Sequence, residues 1–266
     1  WKFFCDNFNE SYHTRFVHPQ VPSVIDQDHF TSRYEMFPNG HARIIQMGRP
    51  SIRDRVPEGE DHPFKMILED WGVDVSKYSD YENLSEQGWL DLKEAKRKNY
   101  KEKGYFHYEN LSDEELTESP FQFIFPNIAM GVQADGCILL NWFPHPTDPE
   151  KCFFDLWDMG YPIGGVAKGI GKTGRDDGHE QEFISRTKVN PVKLQEVELD
   201  FRDYDGGKGV EDLWDHVVYQ DWQLTDGLRR GVRSRGYQEP YLAAQESRVR
   251  FFHEKLHDYL NDKKVK

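Results

Sequence analysis

The stretch Phe121–Met159 reads FQFIFPNIAMGVQADGCILLNWFPHPTDPEKCFFDLWDM, and its rhythm decides the fold. Phe121 to Met130, Cys137 to Phe143 and Phe153 to Met159 are short runs rich in aromatic and β-branched residues, which suit a pleated, half-buried surface. Gly136 parts the first run from the second, and His145-Pro146-Thr147-Asp148-Pro149 parts the second from the third. Turn chemistry between strand-like runs predicts an antiparallel meander. Working outward, Ala42 to Gly48 (ARIIQMG) adds a strand-like run, and Pro50 to Pro63 is a Pro-, Gly- and charge-rich loop. Helical periodicity flanks the meander on both sides. Leu84 to Lys103 places Trp89, Leu92 and Tyr100 on one side, and Asp212 to Ser234 and Gln245 to Asp262 repeat the pattern near the end. Ser112-Asp113-Glu114-Glu115 before Leu116 predicts a helix start, with a cap and acids in the first turn. The fold class is α+β, with helices packed on one face of an antiparallel sheet.

Composition narrows the function. With 266 residues, 37% apolar and 30% charged, the chain is long enough to bury one large core. Its net charge is 34 − 47 = −13, against the clustered Lys and Arg that a nucleic-acid backbone demands. Glu94 and Glu102 interleave with the basic cluster Lys93 to Lys103, so that cluster reads as a solvated helix face. The richest apolar stretch, Phe121 to Val132, is broken by Gln122, Pro126 and Asn127 and falls short of the ~20 residues of a membrane helix. Three cysteines, Cys5, Cys137 and Cys152, are too few and too scattered for a disulfide framework, an iron–sulfur cluster or a structural zinc site. A reducing, cytoplasmic setting is expected. The first residue is Trp1 with no leader behind it, which reads as a domain cut from a longer chain.

Two motifs are set aside. Gly169-Ile170-Gly171-Lys172-Thr173-Gly174, inside the glycine-rich segment Pro162 to Gly178, lacks the strand before it and the helix after it that a phosphate cradle needs. No Ser or Cys stands in a nucleophile elbow.

Chemistry concentrates near the start, in Asn7-Phe8-Asn9-Glu10-Ser11-Tyr12-His13-Thr14-Arg15-Phe16-Val17-His18-Pro19. The spacings predict a helix from Trp1 that stops before Pro19, and on it Glu10 and His13 share a face. His13 and His18 are roughly 140° apart around a regular helix, so they converge only if the helix ends between them. Two imidazoles and one carboxylate make the facial triad of non-haem Fe(II) oxygenases. A candidate for the third carboxylate stands among Val217, Asp221, Leu224 and Leu228, spaced four, three and four, which puts Asp221 in an apolar stripe. A carboxylate buried there requires a cationic partner: a metal, or an Arg such as Arg15 or Arg43.

These residues resemble a known family. Trp1-Lys2, Asp6-Asn7-Phe8-Asn9-Glu10-Ser11-Tyr12-His13 and His18-Pro19 are similar to the iron-binding signature of Rieske non-haem iron oxygenase alpha subunits, the aromatic-ring-hydroxylating dioxygenases and related monooxygenases. Tyr219-Gln220-Asp221, Gly231-Val232-Arg233-Ser234 and the Gln245-Glu246 helix resemble that family's catalytic-domain ending. The resemblance implies a helix-grip fold, a single catalytic domain over residues 1–266, and a mononuclear Fe(II) held by His13, His18 and Asp221. It places Glu10 where the family has the acid that links iron to the Rieske [2Fe-2S] cluster of a neighbouring subunit, and Asn7 near the metal. Neither a Cys-x-His nor a Cys-x-x-His pair occurs in this sequence, so the cluster is expected in a domain the chain lacks. Electrons from NAD(P)H through a reductase or ferredoxin, a homotrimer with or without beta subunits, and dioxygen with an apolar or aromatic substrate are what the resemblance implies as partners. The implied reaction is dihydroxylation of an aromatic ring, or monooxygenation or demethylation at the same site. A zinc hydrolase with Glu10 as base, and a metal-free small-molecule-binding helix-grip domain, are the rival readings. Phe123, Phe125, Trp142, Phe153 and Trp157 are candidates for a hydrophobic pocket.

Overall fold

The computed structural model describes residues 1–54, 62–160, 166–167, 181–182, 213–238 and 240–263. Its helices and strands in chain order are α1 (Lys2–Asn7), α2 (Thr14–Val17), β1 (Arg33–Met36), β2 (Ala42–Met47), α3 (Pro63–Asp70), α4 (Tyr81–Asn99), β3 (Glu118–Ile124), β4 (Ile128–Gln133), β5 (Gly136–Pro144), β6 (Cys152–Gly160), β7 (Val166–Ala167), β8 (Gln181–Glu182), α5 (Leu213–Gly231) and α6 (Ser247–Leu260). The chain divides into two compact units. One comprises residues 1–100, 107–159 and 239–266, and the other residues 101–106 and 160–238.

The first unit is built on a six-stranded sheet in the order β1-β2-β3-β4-β5-β6. The expected meander is present, antiparallel through β5, with Ile44 opposite Phe121, Phe123 opposite Ala129 and Met130 opposite Leu139. The apolar run Phe121 to Met130 is two strands rather than one. Phe125-Pro126-Asn127 breaks it, because Pro126 donates no ladder hydrogen bond, and the Asn127 side chain donates to the Trp142 carbonyl at 2.7 Å. Alternation along β5 buries Ile138, Leu140 and Trp142, so every second residue faces the core.

Helices cover that apolar surface. Phe4 of α1 stacks on Trp142 of β5 with ring centroids 6.0 Å apart, and Phe8 leans on the same indole at 5.2 Å. Phe252 of α6 meets Phe123 of β3 at 5.3 Å and Trp1 at 6.4 Å. Lys96 of α4 buries its ammonium beside Asp135 (3.8 Å) and donates to the Leu116 carbonyl at 2.9 Å, which fixes α4 to the approach of β3. The helix expected from Leu84 begins at Tyr81, where the Asp80 carboxylate accepts from the Asn83 N–H. The start expected at Ser112 is a turn and no helix. Its capping box is complete, with Ser112 Oγ accepting from Glu115 N–H and Glu115 Oε2 from Ser112 N–H, but Glu118 already belongs to β3.

In the second unit, β7 and β8 pair antiparallel and α5 spans Leu213–Gly231. The glycine pattern Gly169 to Gly174 lies outside the described residues. No helix among the described residues is long and apolar enough to cross a membrane.

Candidate metal centre

The segment that carries the histidines is not one helix. α1 stops at Asn7, residues 8–13 form a turn, and α2 is a single turn over Thr14–Val17. The apolar periodicity that predicted continuity is real, since Phe4 and Phe8 both seat on Trp142, but α1 ends eleven residues before His18, where Pro19 implied the stop. Asn9 shows why. Its side chain turns back to donate to the Cys5 carbonyl at 2.8 Å, offering the backbone an alternative to helix continuation.

Short α2 brings the imidazoles together. His13 stands at its N-cap and His18 at its C-cap, and the two rings lie 5.2 Å apart at an interplanar angle of 82°. Convergence arises as the spacing argument required, by a helix that ends between them. His18 is 2% exposed. Beyond it the chain is stapled down: Val21 N–H donates to the His18 carbonyl at 3.0 Å, Asp26 N–H donates to the Met47 carbonyl at 2.8 Å, and Asp26 pairs with Arg49 at 3.2 Å. The end of β2 thereby fixes the position of His18.

Glu10 sets His13. Its Oε1 lies 2.5 Å from Nδ1 of His13, and its Oε2 accepts the His13 backbone N–H at 3.2 Å. A carboxylate only accepts, so Nδ1 carries the proton and Nε2 is the nitrogen available as a ligand atom. The sequence placed this pair on one helix face; the structure makes the same contact in a turn, where Glu10 also holds the His13 backbone N–H. The Glu10 side chain is 6% exposed. Asn7 closes α1, buried, with its Nδ2 lacking a hydrogen-bond partner among the described residues.

Asp221 lies on α5, 1% exposed, beside buried Val217 and Val218. The predicted stripe holds for its first half only, because Leu224 and Leu228 are 37% and 45% exposed. Arg15 and Arg43, the arginines considered as partners for Asp221, are paired with Asp54 (3.0 Å) and Glu35 (2.5 Å). Among the aromatic pocket candidates, Phe123 and Trp142 are core, whereas Phe153 and Trp157 are exposed.

One buried group escaped the sequence reading. Arg248, one turn before Phe252 on α6, is 0% exposed and donates to the Phe8 carbonyl at 3.4 Å. The signal was its place beside Val249 and one turn from Phe252, on a helix face that packs inward.

The protein-family model that matches is the ring-hydroxylating alpha subunit catalytic domain, over residues 1–162 and 179–262. The chain belongs to that family. Its α+β architecture with an antiparallel sheet is the expected one, and the matched residues include Glu10, His13, His18 and Asp221. Comparisons with curated proteins and with solved structures gave no match.

Proposed function

We propose that this catalytic domain of a ring-hydroxylating oxygenase binds Fe(II) through His13, His18 and Asp221 and hydroxylates an aromatic or other apolar substrate, with dihydroxylation as the reaction. The observation that carries the reading is the donor set. Each of the three residues offers one ligand atom, and all three lie within the residues matched by the family model. Two imidazoles and a carboxylate are the donors non-haem iron oxygenases use, leaving coordination positions for substrates. Bound there, ferrous iron supplies the activation of dioxygen that oxygen insertion requires.

The chain's own residues do the rest. Glu10 holds the proton on Nδ1 of His13, which fixes the tautomer and raises the basicity of Nε2. Burial of His18 and Asp221 limits competition from water for their ligand atoms. Glu10 is the group proposed to face a Rieske [2Fe-2S] cluster of a neighbouring subunit in a homotrimer, and Asn7 a polar neighbour of the metal. Electrons are proposed to come from NAD(P)H through a reductase or ferredoxin, in a cytoplasmic setting.

Turnover tests the reaction. Iron-loaded protein, supplied with a reduced Rieske donor and a panel of aromatic hydrocarbons under ¹⁸O₂, is expected to give products carrying two ¹⁸O atoms. A single ¹⁸O, or an aldehyde released from a methyl ether, overturns dihydroxylation for the monooxygenase form of the same site. Hydrolytic turnover with zinc bound overturns the oxygenase reading altogether.

A further inference from the structure

The last helix carries a pattern that the reading of the iron site leaves unused. Residues 253–257 are His253-Glu254-Lys255-Leu256-His257, an H-E-x-x-H run inside α6. Two histidines four apart on a helix share one face, with Cβ atoms ~5–6 Å apart, which is why this spacing recurs in zinc sites. Both histidines are exposed. Glu254, which stands where zinc peptidases have their general base, pairs instead with Arg250 one turn back, at 3.6 Å. With that carboxylate engaged and both imidazoles open to water, the face is suited to holding an ion and not to hydrolysis.

A third donor comes from the other end of the chain. α6 grips α1 and the turn after it: Glu246 accepts from the Tyr12 hydroxyl at 3.2 Å, Arg248 donates to the Phe8 carbonyl at 3.4 Å, and His253 meets Asp6 at 2.8 Å. The last contact joins Nε2 of His253 to Oδ1 of Asp6, and the two side chains are 45% and 37% exposed. A carboxylate only accepts, so Nε2 carries the shared proton. A zinc ion with bonds of ~2.1 Å sets neighbouring donor atoms ~3.0–3.4 Å apart. Asp6 and His253 thus stand close to the separation of two ligands on one ion, and exchanging the proton for a metal opens the pair only slightly. His257, one turn on, brings a second imidazole to the same face. All three residues belong to the first compact unit.

We propose that His253, His257 and Asp6 form a surface site for a first-row divalent ion, zinc in particular, made of none of the residues assigned to the iron centre. Two imidazoles and a carboxylate are donors that suit zinc, and water completes its coordination. The bound ion fastens α6 to α1 by metal–ligand bonds where a single hydrogen bond joins them otherwise, and the proton it displaces from Nε2 goes to solvent. The site stands whether or not His13, His18 and Asp221 hold iron.

The test is a titration of the full chain with zinc chloride, followed at the histidine ring nitrogens by ¹H–¹⁵N spectra. In wild type the His253 and His257 rings are expected to shift together, with one midpoint. His257→Ala, a change at an exposed position, is expected to abolish the response of His253, and Asp6→Asn to weaken it by about 10–100-fold. His13→Ala is expected to leave the response of α6 unchanged, and His18→Ala serves the same purpose if His13→Ala does not fold. Rings of His253 and His257 that do not respond to zinc overturn the proposal, as does a His253 response that survives His257→Ala. A response lost in folded His13→Ala or His18→Ala places the ion at the other centre and overturns it too.

Discussion

At the scale of single residues, the site depends on one carboxylate doing two jobs. Glu10 accepts the His13 backbone N–H and fixes the His13 ring through Nδ1. Glu10→Gln keeps the size and removes the charge, so the backbone hydrogen bond survives better than the hold on the ring. Ferrous iron affinity, measured by competition with a chelator, is expected to fall 10–100-fold while thermal stability drops by about 1 kcal/mol or less. An unchanged affinity contradicts the role given to Glu10. This pair was legible in the sequence because Glu10 and His13 are three apart, a spacing that puts them in reach on a helix or in a tight turn alike. Arg248 was not legible. A charged residue on an amphipathic helix reads as solvent-facing by default, and only the packing of Phe252 against Phe123 shows which face is inward.

At the scale of elements, the sheet tolerates no added volume where β2 leaves β3. A Cβ on Gly48 would lie 2.0 Å from the Thr117 backbone carbonyl oxygen, which cannot move without breaking the pairing of Met47 with Glu118. Gly48→Ala is expected to cost about 1–3 kcal/mol or more in denaturant unfolding. It is also expected to loosen His18, because Asp26 N–H is tied to the Met47 carbonyl next door. The grip of α6 on the turn has a pH signature. Burial first, then the charges of Glu10 and Glu246, push the Tyr12 phenol up to about 12. Raised above its ordinary value near 10, the phenol contributes stability that is full below pH 10 and is lost as pH rises to about 12. Wild type is expected to lose more stability than Tyr12→Phe between pH 9 and pH 11.5 in urea titrations, by under about 1 kcal/mol because solvent screens a partly exposed pair. Equal losses in the two proteins contradict a role for this tie. The strands were legible as alternating runs bounded by turn residues. The early end of α1 was not, because it is set by a side chain, Asn9, folding back onto the Cys5 carbonyl.

At the scale of the whole molecule, the family match makes the chain a ring-hydroxylating alpha subunit catalytic domain, and its net charge is −13. The α+β class was readable from the change of period between the helical ends and the strand-rich middle. The candidate ligands came from the family resemblance, carried by His13 and His18 near the start of the chain and by Asp221 near its end. Substrate contacts were not, since aromatic residues serve core and pocket alike: of those singled out, Phe123 and Trp142 are buried core and Phe153 and Trp157 face outward.

The central claim is that His13, His18 and Asp221 together hold one ferrous ion. Elemental analysis of protein reconstituted anaerobically with ferrous iron, for wild type and for His13→Ala, His18→Ala and Asp221→Ala, tests it most directly. The account predicts one iron per chain in wild type and loss of that iron in each folded variant. Stoichiometric zinc in preference to iron, or iron retained in Asp221→Ala, would contradict it.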